Sequence, residues 1–264
     1  MDTLSLNFYT DDKLCGVPAN APDRAYNFMP SWFKEINPVS FEDCLNTEMN
    51  QLCQQEGQVI PLKYRGMKAH QNMSKCQGFK NLFKRGFYVV CPEDIVIQIG
   101  ARNTDAELIF NSSSKTLNLI QVHGPDQYNS CFDPKEWQHL KINIPWIAQC
   151  DEDIPFMFTK ASWFLDELEG LEIMPGVLEY KYQHGLHVNM FIRKKESPER
   201  YVFKLGTPLA HVIPLTERKL DIKHHHELSE ELKEYTQTNM KMAYSPYSRN
   251  KKRAVLKQAK GIEQ

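Results

Sequence analysis

The chain lacks the short signatures by which common enzymes are known. No Gly-x-Ser-x-Gly elbow is present to expose a nucleophilic serine. Neither Gly-x-Gly-x-x-Gly nor Gly-x-x-x-x-Gly-Lys-Ser/Thr occurs, so a glycine cradle for phosphates is missing. Seven cysteines (Cys15, Cys44, Cys53, Cys76, Cys91, Cys131 and Cys150) include no Cys-x-x-Cys pair. Their odd number and spacing point away from a zinc ribbon or a disulfide framework and predict free thiols. No run approaches the roughly 18 apolar residues of a membrane span, and Met1 to Leu14 lacks the basic start and apolar core of a signal peptide. The expectation is therefore a cytoplasmic protein with no membrane partner. Excess charge of one sign is also absent: a net −1 forecasts no polyanion partner for the body as a whole.

What the sequence does contain is β-rich. At 264 residues, 41% hydrophobic and 25% charged, it has the make-up of an ordinary globular protein with one large body. Phe79, Leu82 and Phe83 stand at helical spacing, Gly86 breaks the period, and branched and aromatic runs at 87–90 and 95–99 flank the Pro92 turn. Further strand-like runs follow at 107–111 and 116–122, read as a hairpin, then at 140–144, 177–182, 186–192, 201–205 and 211–215. Nine to eleven short strands at turn-punctuated intervals, without repeating βα units, argue against a Rossmann-like or barrel enzyme. They predict a mainly β, β-rich α+β fold: a jelly-roll or double-stranded β-helix-like sandwich. A short packed helix is expected near 76–85 and a C-terminal helix over Glu227 to Ala243. The expected organisation is an N-terminal arm over 1–40, a single β-rich domain over 41–222 with a polar insertion near 41–73, and a helix with a basic tail over 223–264.

Candidate functional residues fall into three groups. Trp32 and Phe33, behind a capping Ser31, read as aromatic plugs or as a contact platform. Residues 244–264 carry Arg249, Lys251, Lys252, Arg253, Lys257 and Lys260 against Glu263 alone, a net +5 that leaves −6 on the rest. Such a tail is either solvated or docks on an acidic protein or a nucleic-acid backbone, and Arg249, Lys251, Lys252 and Arg253 are its contact candidates. The third group is histidine. His123, His184, His187 and His211 lie on or beside predicted strands, and imidazoles converging from several strands could hold iron or zinc. The three-residue step from His184 to His187 works against this, since it sends the two to opposite faces of a continuous strand. His224-His-His226 reads as a junction ahead of the C-terminal helix, and Cys76 as a small hydrophobe whose neighbour Lys75 could favour the thiolate. No residue is assigned a catalytic role.

Several segments share an order with a known family: Asn27-Phe-Met-Pro-Ser-Trp-Phe-Lys34, Lys75-Cys-Gln-Gly-Phe79 with Arg85-Gly-Phe87, Pro92-Glu-Asp94, Val122-His123 with Gln127, Lys141-Ile-Asn-Ile-Pro-Trp146, and Leu205-Gly-Thr-Pro-Leu-Ala-His-Val-Ile-Pro214. Over most of residues 25–218 the chain resembles a family encoded by tailed marine phages, above all contractile-tailed phages of cyanobacteria, for which no activity is established. The stretch at 41–60 and the basic end depart from it. The resemblance implies a β-rich phage product in the host cytoplasm, incorporated in the virion if it is a particle protein. With the missing catalytic set, it leads to the expectation of a non-enzymatic structural or interaction protein whose partners are phage structural proteins or further copies of itself. The alternatives are a cupin-like mononuclear metal enzyme of oxygenase type and an intracellular binder of host protein or nucleic acid.

Overall fold

The structure is a computed structural model that describes residues 2–11, 20–35, 76–104, 109–112, 119–124, 132–164, 170–182, 185–230, 232–233 and 246–259. It divides into two units, residues 1–24 with 85–264 and residues 25–84.

In the first unit, strict alternation of side chains sets the architecture. Strand β7 (Trp137–Gln149) buries Leu140, Ile142, Ile144, Trp146 and Ala148 on one face and leaves the intervening residues half-exposed on the other. The same period builds β1 (Thr3–Tyr9), with Leu4, Leu6 and Phe8 inward, and β11 (Gly185–Arg193), with Leu186, Val188, Met190 and Ile192 inward. With β14 (Lys219–His225), β9 (Leu171–Ile173) and β6 (Ile120–Val122), these form a six-stranded sheet of order β14-β1-β7-β11-β9, in which β6 also pairs with β7. A second sheet takes the order β10-β8-β13-β3-β2, from β10 (Gly176–Glu179), β8 (Pro155–Lys160), β13 (Pro208–Pro214), β3 (Phe87–Val90) and β2 (Asp23–Arg24). A third joins β12 (Glu199–Phe203), β4 (Ile95–Ile99) and β5 (Ile109–Ser112). Among the described pairs only β1 with β14 is parallel. One apolar cluster takes residues from all three sheets, among them Leu6, Phe8, Phe87, Ile97, Ile142, Phe156, Met190 and Phe203.

Gly86 leads into β3 with φ +75°, and a Cβ there would lie 2.0 Å from the Val212 carbonyl oxygen. Only glycine lets β3 approach β13 this closely. Helix α3 (Pro246–Ala259) starts on a proline, which forfeits no hydrogen bond at a first helical position. In the second unit, α1 (Ser31–Glu35) and α2 (Gln77–Lys84) meet through aromatic rings: Phe33 lies 5.4 Å from Phe83 and 6.4 Å from Phe79. The apolar spacing at 79, 82 and 83 thus does form a helix, as expected.

The β-rich α+β class stands, while several details differ. Fourteen strands are described rather than nine to eleven. Of the two runs read as a hairpin near 107–111 and 116–122, the turn and the residues that would pair across it lie outside the described residues; the described parts pair elsewhere, β5 with β4, and β6 with β7, which places Ile120 beside Ile142. Ile120 is buried against the long strand, which fixes the register of β6 on β7. The stretch read as an N-terminal arm opens with β1, an internal strand between β14 and β7. The strand-forming part does not end at 215, because β14 follows and completes the sheet beside β1. The basic end, for which no secondary structure is expected, is helical over α3. Of the helix expected over 227–243, the described residues show its first turn, where Ser229 Oγ accepts from the Leu232 amide at 3.3 Å. The polar insertion near 41–73 lies outside the described residues.

Candidate functional site

The outer face of the six-stranded sheet gathers the titratable side chains that its inner face excludes. Across β6, β7 and β11, register places Gln121 beside Lys141 and Lys141 beside Asn189; one step along, Asn143 pairs with His187 and His139 with Phe191. His123 follows β6 and donates its backbone N–H toward the His139 carbonyl at 3.5 Å. The rings form a column. His139 stacks on Phe191 at 4.4 Å and 7°, Phe132 covers the other side of Phe191 at 4.0 Å, and His123 lies 4.9 Å from His139. Trp137 meets Phe132 edge-on at 5.4 Å.

This packing acts on the basic groups. Burial pushes the His187 imidazole down to about 4, and Lys141 and His123 push it the same way. His139 is lowered by burial and then by His123, while a hydrogen bond with Asn189 opposes the shift. Burial lowers the Lys141 ammonium as well. At neutral pH the cluster therefore offers the Lys141 cation beside the neutral imidazoles of His187 and His139 and the amides.

Of the four histidines considered for a metal, the structure brings two to this face, His123 and His187. His211 lies on β13 in a different sheet, buried, with its ring against Tyr88 at 4.5 Å. Its Nε2 sits 2.8 Å from the Arg85 carbonyl oxygen and so donates to it, and burial lowers its pKa. His184 lies outside the described residues. Among the described residues no group of three or more His, Cys, Asp or Glu side chains is placed to hold a metal ion. His139 and Lys141 escaped the sequence reading, although the alternation through 140–144 puts both on the face opposite the core.

His224 and His225 belong to β14 rather than to a helix junction. His224 Nε2 donates to the Pro22 carbonyl at 2.7 Å, and His225 stacks on Tyr9 at 4.6 Å. Tyr9, His225, His226, Glu227, Leu228 and Ser229 line an open depression of about 550 Å³. The three described cysteines are free. Cys91 is buried, its thiol donates to the Glu93 carbonyl at 3.0 Å, and burial pushes it up to about 12, so it stays protonated. Cys76 is exposed. In the second unit Phe33 is buried while Trp32 keeps 38% of its surface, so the first packs and the second faces solvent.

The basic end makes a second surface. Lys251 Nζ lies 2.7 Å from Glu179 Oε1 on β10 and 6.0 Å from the Tyr182 ring centroid, and Asn250 Nδ2 donates to the Tyr182 carbonyl at 3.4 Å. Beneath it Tyr182 and Lys181 both bind Asp153. The Tyr182 hydroxyl, then Lys181, holds the Asp153 carboxyl below its usual range. Held this way, α3 leaves Lys252, Arg253, Val255, Leu256 and Lys257 exposed. Arg249 lies on the same helix. Next to Glu179 on the outer side of β10, Val177 keeps 60% of its surface and is the cross-strand neighbour of the exposed Met157.

A scan against protein-family models finds no match to this chain, and a search of curated proteins finds none either. Among the described residues no helix is long and apolar enough to cross a membrane.

Proposed function

We propose that this chain is a non-enzymatic structural or interaction protein of a tailed phage, and that α3 is the element with which it grips an acidic surface of a neighbouring phage structural protein. The observation that carries the reading is the anchoring of α3. A helix tied down by Lys251 and Asn250 pre-pays the ordering entropy that a loose basic tail would lose on contact. Its exposed Lys252, Arg253 and Lys257 then supply charge complementarity, and Val255 and Leu256, 54% and 50% exposed, supply apolar area. The exposed pair Val177 and Met157 extends the apolar surface on the body. In this reading the three sheets close as a jelly-roll-like sandwich around their common apolar cluster, which supports a rigid body with its work at the surface. The protein is made in the host cytoplasm and enters the particle.

The test is mass spectrometry of gradient-purified particles carrying either the natural chain or Lys252→Glu/Arg253→Glu/Lys257→Glu. The natural chain is expected in the particles and the charge-reversed chain is expected to be lost from them while staying folded by circular dichroism. Equal incorporation of both would remove α3 from the reading, and absence of both from particles would remove the particle association.

A further inference from the structure

Strands β6, β7 and β11 span 3, 13 and 9 residues and hold no aspartate or glutamate. In a chain with 33 acidic residues, that leaves the polar side chains on the outer face of these three strands as bases and amides alone. Lys141 stands at its centre, between Gln121 and Asn189 by register. His187 and Asn143 form the next row on one side, and His123, His139 and Phe191 the row on the other. Directly opposed side chains on such a face have Cβ atoms about 5 Å apart and diagonal ones about 7–8 Å, within the reach of one tetrahedral oxyanion for a lysine and its neighbours. The carboxylate that register brings nearest from β9 is Glu172, beyond Phe191.

We propose that this face is a binding site for a small oxyanion of the phosphate class, free or carried as a phosphate monoester. Lys141 is its charged ligand, His187 supplies a ring N–H, and the Asn143, Asn189 and Gln121 amides complete the donor set. Lys141 and His187 are partly buried but each keeps a side reached by solvent, which is the approach for an anion. The ring nitrogens of His123 and His139 are shielded from water, so those two stand behind the donor set rather than touching the anion. The physical case rests on the acid-free row of donors that register sets around Lys141; His187 is held neutral by burial first and then by Lys141 and His123, and a dianion beside it opposes both effects.

The site does not depend on α3, and the experiment keeps the two apart. Histidine ring resonances of the full chain are followed by NMR during titration with inorganic phosphate, with sulfate and with chloride at constant ionic strength. Saturable shifts of the His187 ring are expected for phosphate and sulfate at millimolar concentration, and not for chloride. Sulfate does not titrate between pH 8 and 5.5, so its affinity is expected to rise as pH falls through that window, in step with proton uptake by the imidazoles. Lys141→Met is expected to weaken binding about tenfold or more and Lys141→Arg to keep it, while Lys252→Glu/Arg253→Glu/Lys257→Glu leaves it unchanged. Glycerol phosphate binding more tightly than inorganic phosphate would assign the site to monoesters, and equal or weaker binding would assign it to the free ion. Shifts that follow ionic strength alone, affinity unaltered in Lys141→Met, or affinity that falls toward low pH would each overturn the proposal. Should Lys141→Met fail to fold, His187→Gln in a folded chain with undiminished sulfate affinity would overturn it equally.

Discussion

Lys251 holds Glu179 at 2.7 Å on a carboxylate side chain that keeps 14% of its surface, so the cationic helix is fixed to the body by a partly sheltered ion pair. Removing the lysine strands a largely desolvated carboxylate, whereas removing both partners does not. Lys251→Met is expected to cost about 1–2 kcal/mol in urea unfolding, and Lys251→Met/Glu179→Gln less than the sum of the single changes. Hydrogen exchange of the α3 amides should quicken in the single variant. Unchanged protection would mean that the helix is held by other contacts.

Gly86 makes a sharper case, because backbone and not side chain fills the space beside it. Alanine there combines a left-handed φ of +75° with a Cβ 2.0 Å from the Val212 oxygen. Gly86→Ala is expected to lose about 3 kcal/mol or more, read from the shift of the denaturation midpoint at unchanged slope. Gly176, where a Cβ meets nothing within 4 Å, is the control. Gly176→Ala should stay within about 1 kcal/mol of the natural chain.

How much of this could be read from residue order follows from where the period is visible. The alternation at 140–144 identified β7, and the 79, 82, 83 spacing identified α2, because each pattern was long enough to separate inward from outward positions. Thr3–Tyr9 alternates just as clearly, yet its place beside β14 depends on a partner 216 positions away in the register Thr3↔Lys219, which no local pattern encodes. The same holds for β5 and β6, whose partners β4 and β7 are set by register and not by any local pattern. The basic cluster was half legible. An acid-free β7 with Lys141 and His139 facing outward is written in the sequence, but the meeting with His187 and His123 requires the register.

Acid should weaken the fold in a window set by the imidazoles before the carboxylates. His187 is held near 4 in the folded chain against roughly 6.5 unfolded, so the unfolded chain binds the extra proton first. Stability tied to this group is full above about 6.5 and is lost as pH falls toward about 4; His211, also lowered by burial, acts in the same direction. In chloride buffers the melting temperature is expected to fall over that range, and His187→Gln to flatten part of the fall. An identical slope in the variant would show that His187 is not the group responsible.

Tyr180 and Tyr182 stand two residues apart and should respond to loss of their hydroxyls in opposite ways. Tyr180 is fully buried against Phe156, with ring centroids 4.9 Å apart, and its hydroxyl finds no hydrogen-bond partner among the described residues. A buried hydroxyl that has given up water without a replacement opposes folding, so Tyr180→Phe removes a penalty and leaves the packing intact. Tyr182 donates its hydroxyl to Asp153, which lowers that carboxyl, while burial and then this bond push the phenol up to about 12. Tyr182→Phe removes a charge-assisted bond, and the expected loss is about 1–2 kcal/mol above pH 5, shrinking as Asp153 protonates. Tyr180→Phe is expected to be neutral or stabilising by up to about 1 kcal/mol. Paired urea melts at pH 7 and pH 3 decide the matter: a destabilised Tyr180→Phe would mean that water or another group satisfies the hydroxyl, and a Tyr182→Phe loss unaltered at pH 3 would mean that Asp153 is not the acceptor that matters.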